Sequence, residues 1–293
     1  MSDPVRAVLA IVTACVIWGL SPLYYALLDS VVPIEVLAHR TLWSFLFFVA
    51  VIALQRRLRD LAAAVATPSR AGLILAAGLA IGFNWFGFIF AIHSGRALEA
   101  SLGYYVFPLF AVLLGRLVFG EALTRVQWAA VGLAGLAVTV LTAGLGVPPF
   151  VALGLAASFA IYGALKKRIA LGPILSVTAE VLLLLPLALG FLAVFGHAQP
   201  LPTLLLLMLS GPLTATPLML FSYAARRLRF ATVGLVQYLN PTLQFLVAVL
   251  VFTEPFTPWH AIAFPIIWIA LALYSASAIA RDRATRRAAA VPL

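Results

Sequence analysis

The chain has 293 residues, of which 64% are hydrophobic and 10% charged, with a mean hydropathy of +1.12. A water-soluble domain carries about 25% charged and about 45–50% apolar residues, so this composition excludes a soluble enzyme, a disordered chain and a disulfide scaffold. The net charge of +10 would suit nucleic acid only if the basic residues shared one surface, and they lie instead in short stretches between apolar segments.

A bilayer span needs about 20 mostly apolar residues. Ten such segments follow one another: 7–28, 34–54, 71–93, 98–119, 125–143, 148–165, 173–195, 202–224, 230–252 and 258–280. The first does not read as a cleaved signal: its core is too long, no small-x-small site follows, and 29–33 leads directly into the next span. The one cysteine, Cys15, lies inside it and has no partner for an intramolecular disulfide. The expected fold is an all-α membrane protein of ten transmembrane helices, without a soluble domain.

Basic residues set the orientation. With the N-terminus cytoplasmic, the inner loops and tails hold Arg6, then Arg56, Arg57, Arg59 and Arg70, then Arg116 and Arg125. Lys166, Lys167 and Arg168 follow, then Arg226, Arg227 and Arg229, and finally Arg281, Arg283, Arg286 and Arg287, making seventeen of the nineteen Lys and Arg. Only Arg96 falls in an outer loop, and Arg40 lies within a span. Lys and Arg near span ends favour the cytoplasmic side, so both termini are expected there, in a bacterial-type inner membrane. The anionic cytoplasmic leaflet accounts for the basic clusters without nucleic acid.

The two halves repeat. Ile17-Trp18-Gly19-Leu20 in the first span matches Ile161-Tyr162-Gly163-Ala164 in the sixth, and Ala100-Ser101-Leu102-Gly103 matches Ala231-Thr232-Val233-Gly234. Pro108 stands thirteen residues before Glu121, and Pro241 thirteen before Glu254, with a Phe two before each Glu. Residues 7–143 and 148–280 are therefore expected to be two five-helix repeats, followed by a basic cytoplasmic tail at 281–293. Five is odd, so the second repeat crosses in the opposite sense. That is the inverted topology of transporters whose halves open alternately to either side.

Breakers and polar rings fall within the spans. Gly19, Pro22, Gly103, Pro108, Pro217 and Pro241 lie near span middles. An interior Pro removes a backbone hydrogen bond, tolerated in a bilayer where protein or a wet cavity satisfies the freed carbonyl. Pro108 and Pro241, matched across the halves, read as hinges together with Gly19, Gly103 and Pro22. Ordinary membrane-helix proline is the other reading for Pro22 and Pro217. Trp18, Trp85, Phe88, Tyr104, Tyr105, Phe107, Tyr162 and Tyr238 lie at similar depth to Asn84, Ser158, Thr214, Thr216, Gln237 and Asn240. Amides and hydroxyls facing lipid would go unpaired, so this set is expected to face inward, binding a solute or joining helix to helix. Rings beside amides suit a neutral or zwitterionic solute with a large apolar or aromatic side chain.

Few ionisable groups enter the spans. Arg40 lies about six residues in from the outer face and Glu180 about seven in from the inner face, roughly 10 Å apart along the normal at 1.5 Å per residue. A direct ion pair is not expected. Glu35 and His39 share a helical face at i, i+4, which suggests a Glu35–His39–Arg40 cluster at the outer mouth, gating the cavity or binding a substrate carboxylate. Glu180 is the candidate for proton coupling; the alternative is a carboxylate snorkelling to the cytoplasmic surface. Glu121 and Glu254 suit helix-end interactions, and His93, His197 and His260 are too scattered for a metal site. Gly78-x-x-x-Gly82 and Gly154-x-x-x-Ser158 read as close-packing seams.

Taken together, Ile17-Trp18-Gly19-Leu20-Ser21-Pro22, Glu35 with His39-Arg40 and Trp43-Ser44, Asn84-Trp85, Ser101-Leu102-Gly103-Tyr104-Tyr105, Pro108-Leu109, Gln127-Trp128, Ser158-Phe159-Ala160-Ile161-Tyr162-Gly163 and Gly234-Leu235-Val236-Gln237-Tyr238-Leu239-Asn240-Pro241 resemble the EamA family of the drug/metabolite transporter superfamily. The likeness spans essentially the whole chain and is nearest to RarD-like proteins and YddG-type amino acid exporters. It implies a ten-helix inner-membrane carrier with cytoplasmic termini and two five-helix repeats around a central cavity. It also implies export of amino acids or other small amphiphilic metabolites, with no cofactor and one chain as the working unit. Proton-coupled efflux of cationic drugs is the second reading, because a cation needs an acid in the cavity. A membrane-embedded enzyme ranks below both, since no nucleophile–base pair or phosphate loop is present, and no Walker motif points to ATP.

Overall fold

A computed structural model describes residues 3–289 except Glu121, Val147 and Arg229. The expected roles of Glu121 and Arg229 therefore lie outside the described residues. All regular structure in the described residues is helical. The helices are α1 (Asp3–Ala26), α2 (Pro33–Leu54), α3 (Leu58–Val65), α4 (Pro68–His93), α5 (Ala97–Phe119) and α6 (Arg125–Leu145). Then come α7 (Phe150–Lys166), α8 (Pro173–Phe195), α9 (Leu201–Ala225), α10 (Phe230–Gln237), α11 (Leu239–Leu246) and α12 (Pro258–Ala289). Among the described residues, eight helices are long and apolar enough to cross a membrane, and two apolar stretches, Phe150–Lys166 and Leu235–Val251, are shorter.

Local chemistry sets most of the boundaries. Pro33, Pro68, Pro173, Pro202 and Pro258 occupy first-turn positions, where a missing N–H costs nothing. Gly120 and Gly146 end α5 and α6 at φ 67° and 73°, a left-handed conformation that favours glycine. Thr124 and Gln127 form a reciprocal capping box that starts α6.

Two elements depart from the sequence reading. Residues 230–252, expected as one span, are interrupted at Tyr238 and end in a π-helical turn, Val247–Val251. The cause is Pro241, which has no N–H for the carbonyl four residues back, Gln237, where α10 ends. Pro22, Pro108 and Pro217 leave α1, α5 and α9 continuous, so of the expected proline hinges only Pro241 breaks its helix. The short α3 was not anticipated. Its charged residues mask an amphipathic turn whose Leu61 and Ala64 are buried against α4 and α8.

Packing places α2 against α8 and α9, α1 against α9 and α11, α4 against α7 and α8, α5 against α7, and α6 against α12. Glycines mark the closest approaches. A Cβ on Gly103 would stand 2.8 Å from the Ala152 carbonyl oxygen of α7, and one on Gly19 would stand 2.6 Å from Leu243 Cβ of α11. Both positions, expected to be hinges, are helix crossings. Gly78 and Gly82 do face Leu184 of α8, but a Cβ added to Gly154 would meet nothing within 4 Å, so of that second pair only Ser158 meets another helix. Glu254 meets the helix-end expectation: its carboxylate accepts the N–H of Ala97 at 2.6 Å and of Leu98 at 2.8 Å, at the start of α5. Burial pushes the Glu254 carboxyl above its ordinary pKa, and these two N–H bonds oppose the push. Large apolar side chains such as Leu54, Leu117, Phe150 and Val194 cover the outside.

Candidate functional site

A cavity of about 580 Å³ lies inside the ring formed by α1, α2, α4, α5, α7, α8, α9, α10 and α11, while α6 and α12 contribute no lining residue. Its size falls in the ordinary range for small-molecule sites. Of the residues predicted from sequence, Trp18, Arg40, Asn84, Trp85, Phe88, Tyr104, Tyr162, Thr214, Gln237 and Asn240 line it, as does Phe107. His39, Tyr105, Ser158 and Tyr238 do not. Tyr105 turns away toward α11 and α12, bonding Thr242 at 2.7 Å and packing edge-on against Phe264. Ser158 stands behind Asn84. The Tyr238 hydroxyl accepts from Ser275 of α12 at 3.5 Å. The half-buried His39 carries a buried Nδ1 with no hydrogen-bond partner among the described residues.

The residues that meet do so because helical spacing aims them. Asn84 donates to the Leu155 carbonyl at 2.9 Å and to Ser158 Oγ at 3.1 Å, while its own oxygen accepts from Tyr104 at 3.0 Å. With both N–H groups and its oxygen engaged, this amide ties α4, α5 and α7 at one point of the wall. Across the cavity, Gln244 donates to Asn240 at 3.0 Å, four residues earlier on α11.

At one end, α2 directs the buried Arg40 inward. Its Nη1 donates to Tyr25 Oη at 2.7 Å and its Nε to Thr214 Oγ1 at 3.1 Å, and the guanidinium lies 4.2 Å over the Trp85 ring. Arg40 thereby joins α1, α2, α4 and α9. Arg40 takes no part in the expected Glu35–His39–Arg40 cluster. Glu35 faces the loop before α9, where it accepts from His197 Nδ1 at 3.0 Å and Gln199 Nε2 at 2.9 Å. Arg40, five residues on, points down a different face of α2.

Toward the other end stands a second charged group. Glu180 is fully buried, which rules out the snorkelling alternative. It forms an ion pair with Lys166 at 2.6 Å and accepts from Ser176 at 2.9 Å and Tyr162 at 3.1 Å. Lys166 also bonds Ser176. The sequence counts Lys166 among the cytoplasmic loop cations, yet it is the last residue of α7 and lines the cavity. A usable signal was present: Tyr162 and Lys166, like Ser176 and Glu180, are i, i+4 pairs that share a helix face. Tyr25 and Phe159 were also missed. They complete a row of rings, Tyr25–Phe88–Tyr104–Phe159–Tyr162, with centroids 5.8 to 6.1 Å apart, running from Arg40 to Lys166.

Residues 5–143 match the EamA-like transporter family. The chain is 40% identical to an uncharacterized transporter of Vibrio cholerae, over 98% of this chain and 97% of that one. It is 38% identical to the protein RarD of Escherichia coli K12, over 96% and 98%. A solved crystal structure, 20% identical, shares the fold with a TM-score of 0.60 over 94% of this chain and 98% of that one. With near-full-length relatives at this identity, the chain belongs to the EamA-like transporter family of the drug/metabolite transporter superfamily, among its RarD-like members.

Proposed function

We propose that the chain is a secondary carrier that exports amino acids, aromatic and other neutral ones foremost, or related small amphiphilic metabolites, by alternating access. The observation that carries this reading is the central cavity, where a row of rings faces amides and hydroxyls. Rings hold an apolar side chain, and polar groups orient an amine or carboxylate. A cationic cargo fits less well, because Arg40, Lys166 and Arg226 line the cavity and the nearby Glu180 already has a counterion.

The packing supports two exchangeable halves. Swapping the first five predicted spans for the last five turns the pair α1–α9 into α7–α4, α2–α9 into α8–α4, and α1–α11 into α7–α5, and all six contacts occur. The pairs α2–α8, α5–α11 and α6–α12 map onto themselves and also occur. The Gly19 and Gly103 crossings are likewise equivalent, each joining the first span of one half to the fourth span of the other. Near-equal halves with opposite orientation can exchange conformations, which is how such a fold opens to either side.

In proteoliposomes, Tyr104→Ala and Gln237→Ala are expected to reduce counterflow of aromatic amino acids sharply, with normal insertion of both proteins. Unchanged counterflow in both variants would sink the proposed cavity. The orientation has its own check. Cysteine labels placed at the two ends of the chain should react only from the cytoplasmic side, and labelling of the ends from opposite faces would refute the even span count.

A further inference from the structure

The two halves place opposite charges at equivalent positions. Pro33-Ile34 opens α2 and Pro173-Ile174 opens α8, and seven residues beyond each Pro stand Arg40 and Glu180. Their surroundings differ. Glu180 is neutralised by Lys166 and hidden from the cavity, whereas Arg40 lines it and pairs with no Asp or Glu among the described residues. A guanidinium has five N–H donors, and only two of Arg40's are used, both on neutral hydroxyls. A buried cation in a membrane cavity without a counterion is costly. Arg226, the other cavity-lining cation that pairs with no carboxylate among the described residues, sits in an exposed position where solvent screens it.

From this geometry we infer that the cavity selects its solute by a single negative charge. Arg40 takes a carboxylate, the row of rings beside it takes a planar or apolar body, and no amine is needed. The substrate class is therefore aryl and aralkyl monocarboxylates, within which an aromatic amino acid is one case. The inference rests on the carrier reading above and narrows it. Charge balance argues for a monoanion: one unpaired guanidinium offsets one carboxylate, while a phosphate dianion would leave an uncompensated charge in a low-dielectric wall. The face of Arg40 is already occupied by Trp85 and its inner donors by Tyr25 and Thr214, so its remaining N–H groups are the ones free for an incoming carboxylate.

The test uses the full-length protein in lipid nanodiscs and four probes with one phenyl ring each: phenylacetate, L-phenylalanine, phenethylamine and phenyl phosphate. Binding is read from the fluorescence of Trp18 and Trp85, which line the cavity, against a Trp85→Phe control. Phenylacetate and L-phenylalanine are expected to bind, phenethylamine to fail, and phenyl phosphate to bind more weakly than phenylacetate. Arg40→Gln should weaken the two carboxylates by about 10- to 100-fold, the loss of a charge-assisted bond. Arg40→Lys should keep the preference for anion over amine. Phenethylamine binding as tightly as phenylacetate in the wild type overturns the inference, and this comparison stands even if Arg40→Gln does not fold. Arg40→Lys behaving like Arg40→Gln also overturns it, since Arg40 would then be a structural clamp. Phenyl phosphate binding more tightly than phenylacetate refutes the monocarboxylate class. Failure of the carrier reading shows separately, as the expected binding order without any counterflow of phenylacetate in proteoliposomes.

Discussion

Lys166→Ala is expected to destabilise the protein by about 3–5 kcal/mol, because it strips a fully buried carboxylate of its counterion. Ser176 and Tyr162 would still donate to Glu180, but neutral hydroxyls do not cancel its charge. The reverse change is milder. The Lys166 side chain is 24% exposed and lines the cavity, so in Glu180→Gln its ammonium can turn to water, whereas the Glu180 carboxylate in Lys166→Ala must stay buried uncompensated or take up a proton at a cost. The double variant Lys166→Ala with Glu180→Gln removes both charges and should recover most of the loss. Thermal unfolding of the four proteins in one detergent measures this as a double-mutant cycle. Equal losses in the two single variants, with no recovery in the double, would show that the pair is not buried as described.

The same pair bears on coupling. Glu180 can act as the proton site only in a conformation where Lys166 has swung away, since here the carboxylate is held by an ammonium and two hydroxyls. The cycle therefore has a transport counterpart. Glu180→Gln should carry solute with no dependence on a pH gradient, while the wild type responds to one. Gradient-independent transport in both proteins would leave facilitated diffusion as the mechanism.

Gly103→Leu should prevent stable folding, or cost at least about 1–3 kcal/mol if the protein survives. The added Cβ would meet the Ala152 carbonyl oxygen at 2.8 Å and Leu155 Cβ at 3.0 Å. The first is backbone and cannot step aside, so α5 and α7 would have to separate. Gly19→Leu should act alike, against Leu243 Cβ at 2.6 Å and the Asn240 carbonyl oxygen at 3.1 Å. Gly132 is the control: it lies on the exposed side of α6 with nothing within 4 Å of an added Cβ. Gly132→Leu should leave stability unchanged or slightly raised, because glycine in a helix interior carries an entropic cost. Size-exclusion chromatography after a heating series separates the cases, and equal behaviour of the three variants would refute the crossing geometry. These glycines are thus contact points, and the conformational break belongs to Pro241.

Much of the architecture was legible in the chain. An all-helical chain of apolar segments with basic residues at every second connection, and amides and rings carried on those helices, follow from local composition and period. A bilayer leaves polar side chains no place but the interior. That is why ten of the fourteen predicted binding residues line the cavity. Which partner each polar group finds was not legible, because the partners are far apart in sequence. Arg40 meets Thr214 across 174 positions, and Glu35 meets His197 across 162. Lys166 illustrates the limit at short range. Its charge and its place after an apolar run marked it as a loop cation. Only the packing of α7 on its neighbours turned it toward Glu180 and left Arg40 as the cavity's buried cation without a carboxylate. Hydropathy and spacing determine which segments become helices, while the side of each helix that meets another is settled when all of them close around one space.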